Sequence, residues 1–299
     1  MDLLTDRLRA LRRHSFGAPR RVPNLLVRAE WLTLAQALPA ELCDLIYVDP
    51  PFFSGRDYAD TAGAFADSWQ DDLEGYLAWL MARLAESWRL LRPEGSLFVH
   101  LDRRAVHYVK VELDRLCGRR AFRNEIIWHY TGGGRSRRVF SHKHDTLLWY
   151  SKGRRWTFHI DAVRQPYAPT SGYARSGIVS AGRRYLPHPQ GTPADDVWNI
   201  PIINPLSAER LGYPTQKPER LLERIIAACS SPGDMVADFV CGSGTTPAVA
   251  QRLGRRWLAA DHSAQAIKLA EARLRRTTSS HEELAPDFVV AFLEDVTDA

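Results

Sequence analysis

The chain predicts an α/β fold in which strands alternate with helices and ligand-binding loops follow strand ends. Three observations carry that reading. The run Leu42–Val48 is short, largely apolar and partly β-branched, and it stops at Asp49-Pro50-Pro51-Phe52, as a buried strand opening into a loop does. Asp234–Val240 reads as a second strand. It is followed at once by Cys241-Gly242-Ser243-Gly244-Thr245-Thr246, an apolar helical stretch from Pro247 to Leu253, and Gly254 placed to end it. A third strand, Arg256–Ala260, ends at the acidic Asp261. In open α/β sheets, ligand sites lie just past the carboxyl ends of such strands.

The loop chemistry narrows the ligand. Glycines permit close backbone approach, and the helix N-terminus presents free N–H groups. No Gly-Lys-Ser/Thr is present, and the third glycine of the dinucleotide fingerprint is missing. A shorter Gly-x-Gly suits a ligand without phosphates, and Asp261 is placed to hold ribose hydroxyls. At the other strand end, Asp49 supplies a carboxylate acceptor and Pro50 a carbonyl held in a set direction, because prolines fix φ and carry no competing N–H. Phe52 offers a flat face on which a base extruded from a helix stacks. Such an acceptor pair can rotate and pyramidalise the exocyclic amine of a nucleobase, releasing its lone pair toward a sulfonium methyl. A plain strand-to-loop turn would show the same Pro-Pro, so the tetrapeptide needs the glycine loop beside it.

With both motifs in this order, the sequence resembles the β-group of amino-methylating (N6-adenine or N4-cytosine) DNA methyltransferases. Further blocks look like that family: Gly95–Asp102, Phe122–Trp128, His142–Lys152 and Tyr213–Leu222. The similarity covers most of residues 24 to 276. It implies a mostly parallel seven-stranded sheet with helices on both faces, in permuted order, the catalytic half first. It implies S-adenosylmethionine as cofactor, held by Asp49, Thr215, Gln216, Lys217, Asp238, Val240, Gly242, Ser243, Gly244, Thr245, Thr246, Asp261 and His262. In this scheme Asp238 sits near the methionine amine and Lys217 near its carboxylate. Asp49, Pro50, Pro51 and Phe52 form the catalytic set. Asp49 favours adenine N6, since the N4-cytosine group more often resembles Ser-Pro-Pro-aromatic. C5 methylation is set aside because no Pro-Cys nucleophile occurs.

One position departs from the family's Asp-Pro-Phe-x-Gly-x-Gly. Phe239 stands for the proline and Val240 for the aromatic, and in a regular strand Phe239 points away from the pocket. The missing ring predicts weaker cofactor binding by about 1–2 kcal/mol. It also sustains a rival reading, a catalytically weak DNA-binding subunit.

Composition fits an intracellular enzyme, the net charge favours a nucleic-acid partner, and the resemblance implies that this partner is double-stranded DNA. The 299 residues are 45% hydrophobic, enough for one large core, and carry a net charge of +5. No segment is long and apolar enough to span a membrane, and Met1 to Arg13 lacks the apolar core of a signal peptide. Four scattered cysteines fit reduced thiols in a bacterial or archaeal cytoplasm, and neither they nor His142 and His144 show metal-ligand spacing. The expected division is an N-terminal arm (1–23), a catalytic half (24–154), a target-recognition insert (155–205), a cofactor half (206–278) and a tail (279–299).

Two segments are candidates for gripping DNA. Arg135, Arg137, Arg138 and Lys143 lie in and after the Gly132-Gly133-Gly134 loop, where they suit phosphate contacts, although a solvated surface loop would look alike. Arg183 and Arg184 lie in the Pro-rich stretch 164–196, placed where the family reads its target; a disordered linker is the rival there. That stretch is short, which leaves room for a homodimer, and the family leaves room for a restriction endonuclease partner. The helical runs Asp72–Leu91, Pro218–Ser230 and Ser263–Arg276 read as structural, and the apolar tail 287–293 as an edge strand or a subunit contact.

Overall fold

A computed structural model of the chain describes residues 24–57, 66–67, 69, 72–132, 134–279 and 288–293. The expected N-terminal arm, the signal-peptide reading of Met1 to Arg13, and Gly133 lie outside the described residues. In chain order the strands are β1 (Asn24–Arg28), β2 (Cys43–Val48), β3 (Arg56–Asp57), β4 (Ala66–Asp67), β5 (Leu91–Leu101), β6 (Phe122–His129), β7 (His144–Ser151), β8 (Ile178–Ser180), β9 (Arg183–Tyr185), β10 (Val197–Asn199), β11 (Met235–Asp238), β12 (Arg256–Asp261) and β13 (Phe288–Phe292). The helices are α1 (Trp31–Ala37), α2 (Leu73–Leu90), α3 (Val106–Cys117), α4 (Gly172–Ser176), α5 (Glu219–Cys229), α6 (Thr245–Arg252) and α7 (Ala264–Ser279).

Nine strands form the central sheet in the order β10-β6-β7-β5-β2-β11-β12-β1-β13. Its pairings are parallel except those that β7 makes with β5 and β6. The sheet therefore has two strands more than the seven expected. Both extras lie at the edges: β10 pairs with β6, and β13, from the apolar tail, pairs with β1. Three residues just past the Pro-rich stretch carry no readable alternation, so β10 leaves no mark in the sequence.

Each face of the sheet buries its own core. On one side α1, α2 and α3 cover Leu25, Val27, Ile46, Val48, Leu97, Val99, Met235 and Ala237. On the other, α5, α6 and α7 cover Leu26, Leu45, Tyr47, Phe98, Trp149, Val236, Trp257 and Ala259. Alternate residues of each strand thus enter opposite cores, as the pleat requires. Helix α2 runs as its apolar spacing predicts, burying Tyr76, Leu80, Leu84 and Leu90. Its N-cap Asp72 accepts a hydrogen bond from the Gly75 N–H at 2.8 Å, a bond worth about 1 kcal/mol.

The stretch 164–196 carries regular structure. Helix α4 is followed by the hairpin β8–β9, with Arg183 and Arg184 exposed on its second strand, and Gln165 bridges to Thr192. Among the described residues no helix is long and apolar enough to cross a membrane, and no cluster of three or more His, Cys, Asp or Glu side chains could hold a metal.

Candidate active site

Both loops read from the sequence open at the same carboxyl end of the sheet, because β2 and β11 are parallel neighbours. Strand β2 delivers Asp49, and the chain after it is held by groups that sequence reasoning missed. The Tyr76 hydroxyl donates to the Pro51 carbonyl at 2.8 Å. The buried Asp67 carboxylate accepts the N–H groups of Phe52 (3.3 Å), Phe53 (2.8 Å) and Ser54 (2.9 Å). Those bonds hold Phe53 at a φ of 58°, which side-chain-bearing residues rarely adopt. Helical spacing marks Tyr76 only as part of a core-facing stripe; its ring does pack there, and its hydroxyl positions the loop.

On the cofactor side, Asp238 ends β11 with 3% of its surface exposed. Its carboxylate accepts the Thr246 hydroxyl at 2.5 Å and the Val240 N–H at 3.1 Å. Burial pushes its pKa up to about 7; the two hydrogen bonds oppose this and the charges of Asp49 and Asp261 add to it. Asp261, at the end of β12, accepts the N–H of Gly242 and of Ser263, each at 2.9 Å, and burial raises its pKa as well. Gly242 and Gly244 take φ values of 50° and 76°. A Cβ at Gly242 would lie 2.9 Å from the Tyr213 ring, and one at Gly244 would lie 2.8 Å from the Ala270 Cβ. The first glycine keeps the pocket backbone bare, whereas the second lets α7 pack against the loop.

A single pocket is lined by Asp49, Pro50, Pro51, Phe52, Thr215, Gln216, Lys217, Asp238, Val240, Gly242, Ser243, Thr245, Thr246, Asp261 and His262. Gly244 alone of the expected catalytic and cofactor residues does not line it, being turned to Ala270. Val240 faces the pocket, while Phe239 is buried on the far side, its ring parallel to that of Trp31 with centroids 6.3 Å apart. Tyr213 brings an aromatic ring to the same pocket from another segment. Lys217 lies on Asp49, its ammonium paired with Oδ2 and 5.1 Å from the Phe52 ring centre. The other oxygen of Asp49, Oδ1, is buried and has no hydrogen-bond partner among the described residues.

The expected DNA contacts lie elsewhere. Arg135, Arg137 and Arg138 are exposed on the loop between β6 and β7, at the same carboxyl end of the sheet. Lys143 donates to the carbonyls of Gly132 and Gly134 and so closes the base of that loop.

Comparison with known proteins agrees with this geometry. The family model described as DNA methylase, of the N6/N4 methyltransferases, matches residues 43–272. This chain belongs to that family. It is 30% identical over 265 residues to the DNA adenine methyltransferase YhdJ of Escherichia coli (strain K12), covering 87% of this chain and 86% of that one. It is 32% identical over 234 residues to the type II methyltransferase M.HpaI of Haemophilus parainfluenzae, covering 77% and 68%. Two solved structures share the fold. The DNA modification methylase TTHA0409 of Thermus thermophilus, complexed with S-adenosyl-L-methionine, superposes with a TM-score of 0.58 at 21% identity, covering 92% of this chain and 100% of that one. The cytosine-N4-specific PvuII methyltransferase superposes with a TM-score of 0.62 at 16% identity, covering 90% and 95%.

Proposed function

We propose that this methylase transfers the methyl group of S-adenosylmethionine to N6 of an adenine turned out of duplex DNA. The observation that carries the reading is one pocket in which Asp49-Pro50-Pro51-Phe52 faces the Gly242-Ser243-Gly244 loop and the carboxylates of Asp238 and Asp261. The pocket residues suit such a cofactor. Carboxylates stand ready for an ammonium (Asp238) and for ribose hydroxyls (Asp261), Lys217 for a carboxylate, and the bare backbone at Gly242 lies beside the Tyr213 ring. When bound, the cofactor supplies an electrophilic methyl on a sulfonium.

The chain's own residues make the amine a nucleophile. Asp49 accepts one amine N–H and the Pro50 carbonyl accepts the other, which draws the nitrogen lone pair out of the ring π-system. Phe52 stacks the flipped base. Lys217 pairs with Asp49 Oδ2, which sets that carboxylate beside the residues that would hold the cofactor. Exposed Arg135, Arg137 and Arg138 would hold phosphates, and the β8–β9 hairpin with Arg183 and Arg184 would read bases. The short insert suits a homodimer in which a second copy completes the reading.

Asp49 and the likeness to an adenine methyltransferase support adenine. Methylation of cytosine N4 is the second reading, because that amine takes the same pair of acceptors. Nucleoside mass spectrometry of duplex DNA incubated with the protein and cofactor tests both. N6-methyladenine is expected; N4-methylcytosine instead would move the assignment to the second reading. No methylated base, with cofactor bound, would make the chain a DNA-binding subunit.

A further inference from the structure

Strand β5 is apolar from Leu97 to Leu101 except for His100, whose side chain is fully buried. A buried imidazole is costly unless both nitrogens are satisfied, and here they are. Nδ1 lies 2.8 Å from the Tyr47 hydroxyl and Nε2 lies 3.3 Å from Asp145 Oδ2. The second oxygen of Asp145 accepts the Tyr130 hydroxyl at 3.0 Å. Because a carboxylate only accepts, Nε2 carries the proton, and Nδ1 accepts the Tyr47 O–H. Burial alone would raise the Asp145 carboxyl, but the hydrogen bond from His100, the Lys217 charge and the Tyr130 hydroxyl together hold it below its ordinary range.

The four groups follow the order of the sheet. Tyr47 lies on β2, His100 on β5 and Asp145 on β7, and Tyr130 directly follows β6; these are four successive neighbours. At one end this strut reaches the catalytic motif. His100 Nδ1 lies 3.8 Å from Oδ1 of Asp49, which has no hydrogen-bond partner among the described residues, and the imidazole centre lies 5.7 Å from the Phe52 ring. At the other end, the Tyr130 N–H donates to the Lys143 carbonyl at the base of the arginine loop. Trp128 meets the imidazole edge-on, at 5.4 Å and 81°, which leaves the ring little freedom to turn.

We infer that His100 is a positioning residue: a pinned imidazole floor that sets the orientation of Asp49 and Phe52, itself held by Tyr47, Asp145 and Tyr130. The inference rests on the proposed methyl transfer, and a small displacement of an acceptor in such a site costs rate far more than binding.

The test compares single-turnover methyl transfer with cofactor affinity and thermal stability in His100→Leu, His100→Gln, Asp145→Asn and Tyr130→Phe. His100→Leu is expected to slow transfer at least about thirtyfold while cofactor Kd stays within about twofold. The glutamine variant, whose amide can still donate to Asp145, is expected to recover part of that deficit. Asp145→Asn and Tyr130→Phe, changes further along the strut, are each expected to slow transfer several-fold. A folded His100→Leu protein transferring at close to the wild-type rate would overturn the inference, as would a defect confined to cofactor affinity. If the leucine variant does not fold, Tyr130→Phe decides: an unchanged transfer rate overturns the strut, and a slowed one with unchanged Kd supports it. Wild-type protein inactive on every duplex would instead remove the methyltransferase reading on which the inference stands.

Discussion

Lys217 crosses 168 residues of sequence to set its ammonium on Asp49 Oδ2, joining the two halves of the site inside one pocket. The same ammonium lies over the Phe52 ring, so one side chain meets both the proposed amine acceptor and the proposed stacking ring. Both partners are largely buried, and a buried charge deprived of its partner is unfavourable. In the proposed site Lys217 would also serve a second anion, the carboxylate of the methionine group. Lys217→Ala should weaken cofactor binding about tenfold to a hundredfold, the ~1.5–3 kcal/mol of a charged hydrogen bond. Calorimetric titration reads this directly, and an unchanged Kd would assign the cofactor carboxylate to another donor.

Asp49 itself should separate chemistry from binding. If its carboxylate orients the amine, Asp49→Ala should lower turnover by on the order of a hundredfold or more. Cofactor affinity should change far less, because Asp238, Asp261 and Lys217 remain. Methylation near the wild-type rate in a folded variant would remove Asp49 from the mechanism.

The aromatic surface of the pocket has moved. Phe239 is committed to the stack with Trp31, so it cannot replace the ring missing at Val240, whereas Tyr213 contributes one at Gly242. Tyr213→Ala should therefore weaken cofactor binding, by about 1–2 kcal/mol of apolar burial removed. Val240→Phe should tighten it several-fold, by on the order of 1 kcal/mol. Weaker binding in the Val240→Phe protein would mean that Tyr213 already fills the space.

The raised pKa of Asp238 gives two pH dependences with opposite effects. Its folded value of about 7 lies above the 3.8 of an unperturbed carboxyl, so the protonated form stabilises the free protein. That contribution is full below about pH 4 and is lost as pH rises through about 7. In the proposed site binding runs the other way, because only the ionised carboxylate would pair with the cofactor's ammonium. Affinity should rise about tenfold from pH 5.5 to pH 7, a range in which an α-ammonium stays charged. Titrations across that range check it, and Asp238→Asn should flatten both trends. A wild-type Kd that is flat with pH would place the ammonium elsewhere.

The sheet and the pocket are legible in the sequence because their signals are local. The strand runs that stop at Asp49 and at Asp261 are local patterns, as is the run Asp234–Val240 before its glycine loop and helix, although that strand ends two residues earlier, at Asp238. The supports are not local. Asp67 gathers three N–H groups from residues 13 to 15 positions earlier, and His100 and Asp145 meet across 45 residues. A lone histidine within Leu97–Leu101 is the sole mark of the strut in the sequence, and an imidazole in an apolar strand most often marks a satisfied core group. Strand β10 escapes notice because three residues have no period. Tyr76 shows the limit well: helical spacing predicts its burial but cannot show that its hydroxyl reaches Pro51.

The two arginine-bearing elements should respond differently to substitution. Arg135, Arg137 and Arg138 are exposed on a loop whose base is tied by Lys143, and whose turn is held by the Ser136 hydroxyl accepting the N–H groups of Arg138 and Val139. Such a loop presents charge without fixing any one guanidinium against a base edge, so it should meet phosphates, which carry no sequence information. Arg183 and Arg184 project from a short hairpin, whose paired backbone can aim a side chain into a groove. Replacing Arg135, Arg137 and Arg138 together by alanine should weaken binding to all duplexes alike and reduce the salt slope by up to about three. Replacing Arg183 or Arg184 should relax preference at particular base pairs, by roughly 1–3 kcal/mol for each bidentate pair of hydrogen bonds removed. Binding titrations at several salt concentrations, on cognate and singly mismatched duplexes, distinguish the two. A change of sequence preference from the loop variant, with none from the hairpin variants, would put base reading in the Gly132–Phe140 loop and leave the insert a scaffold.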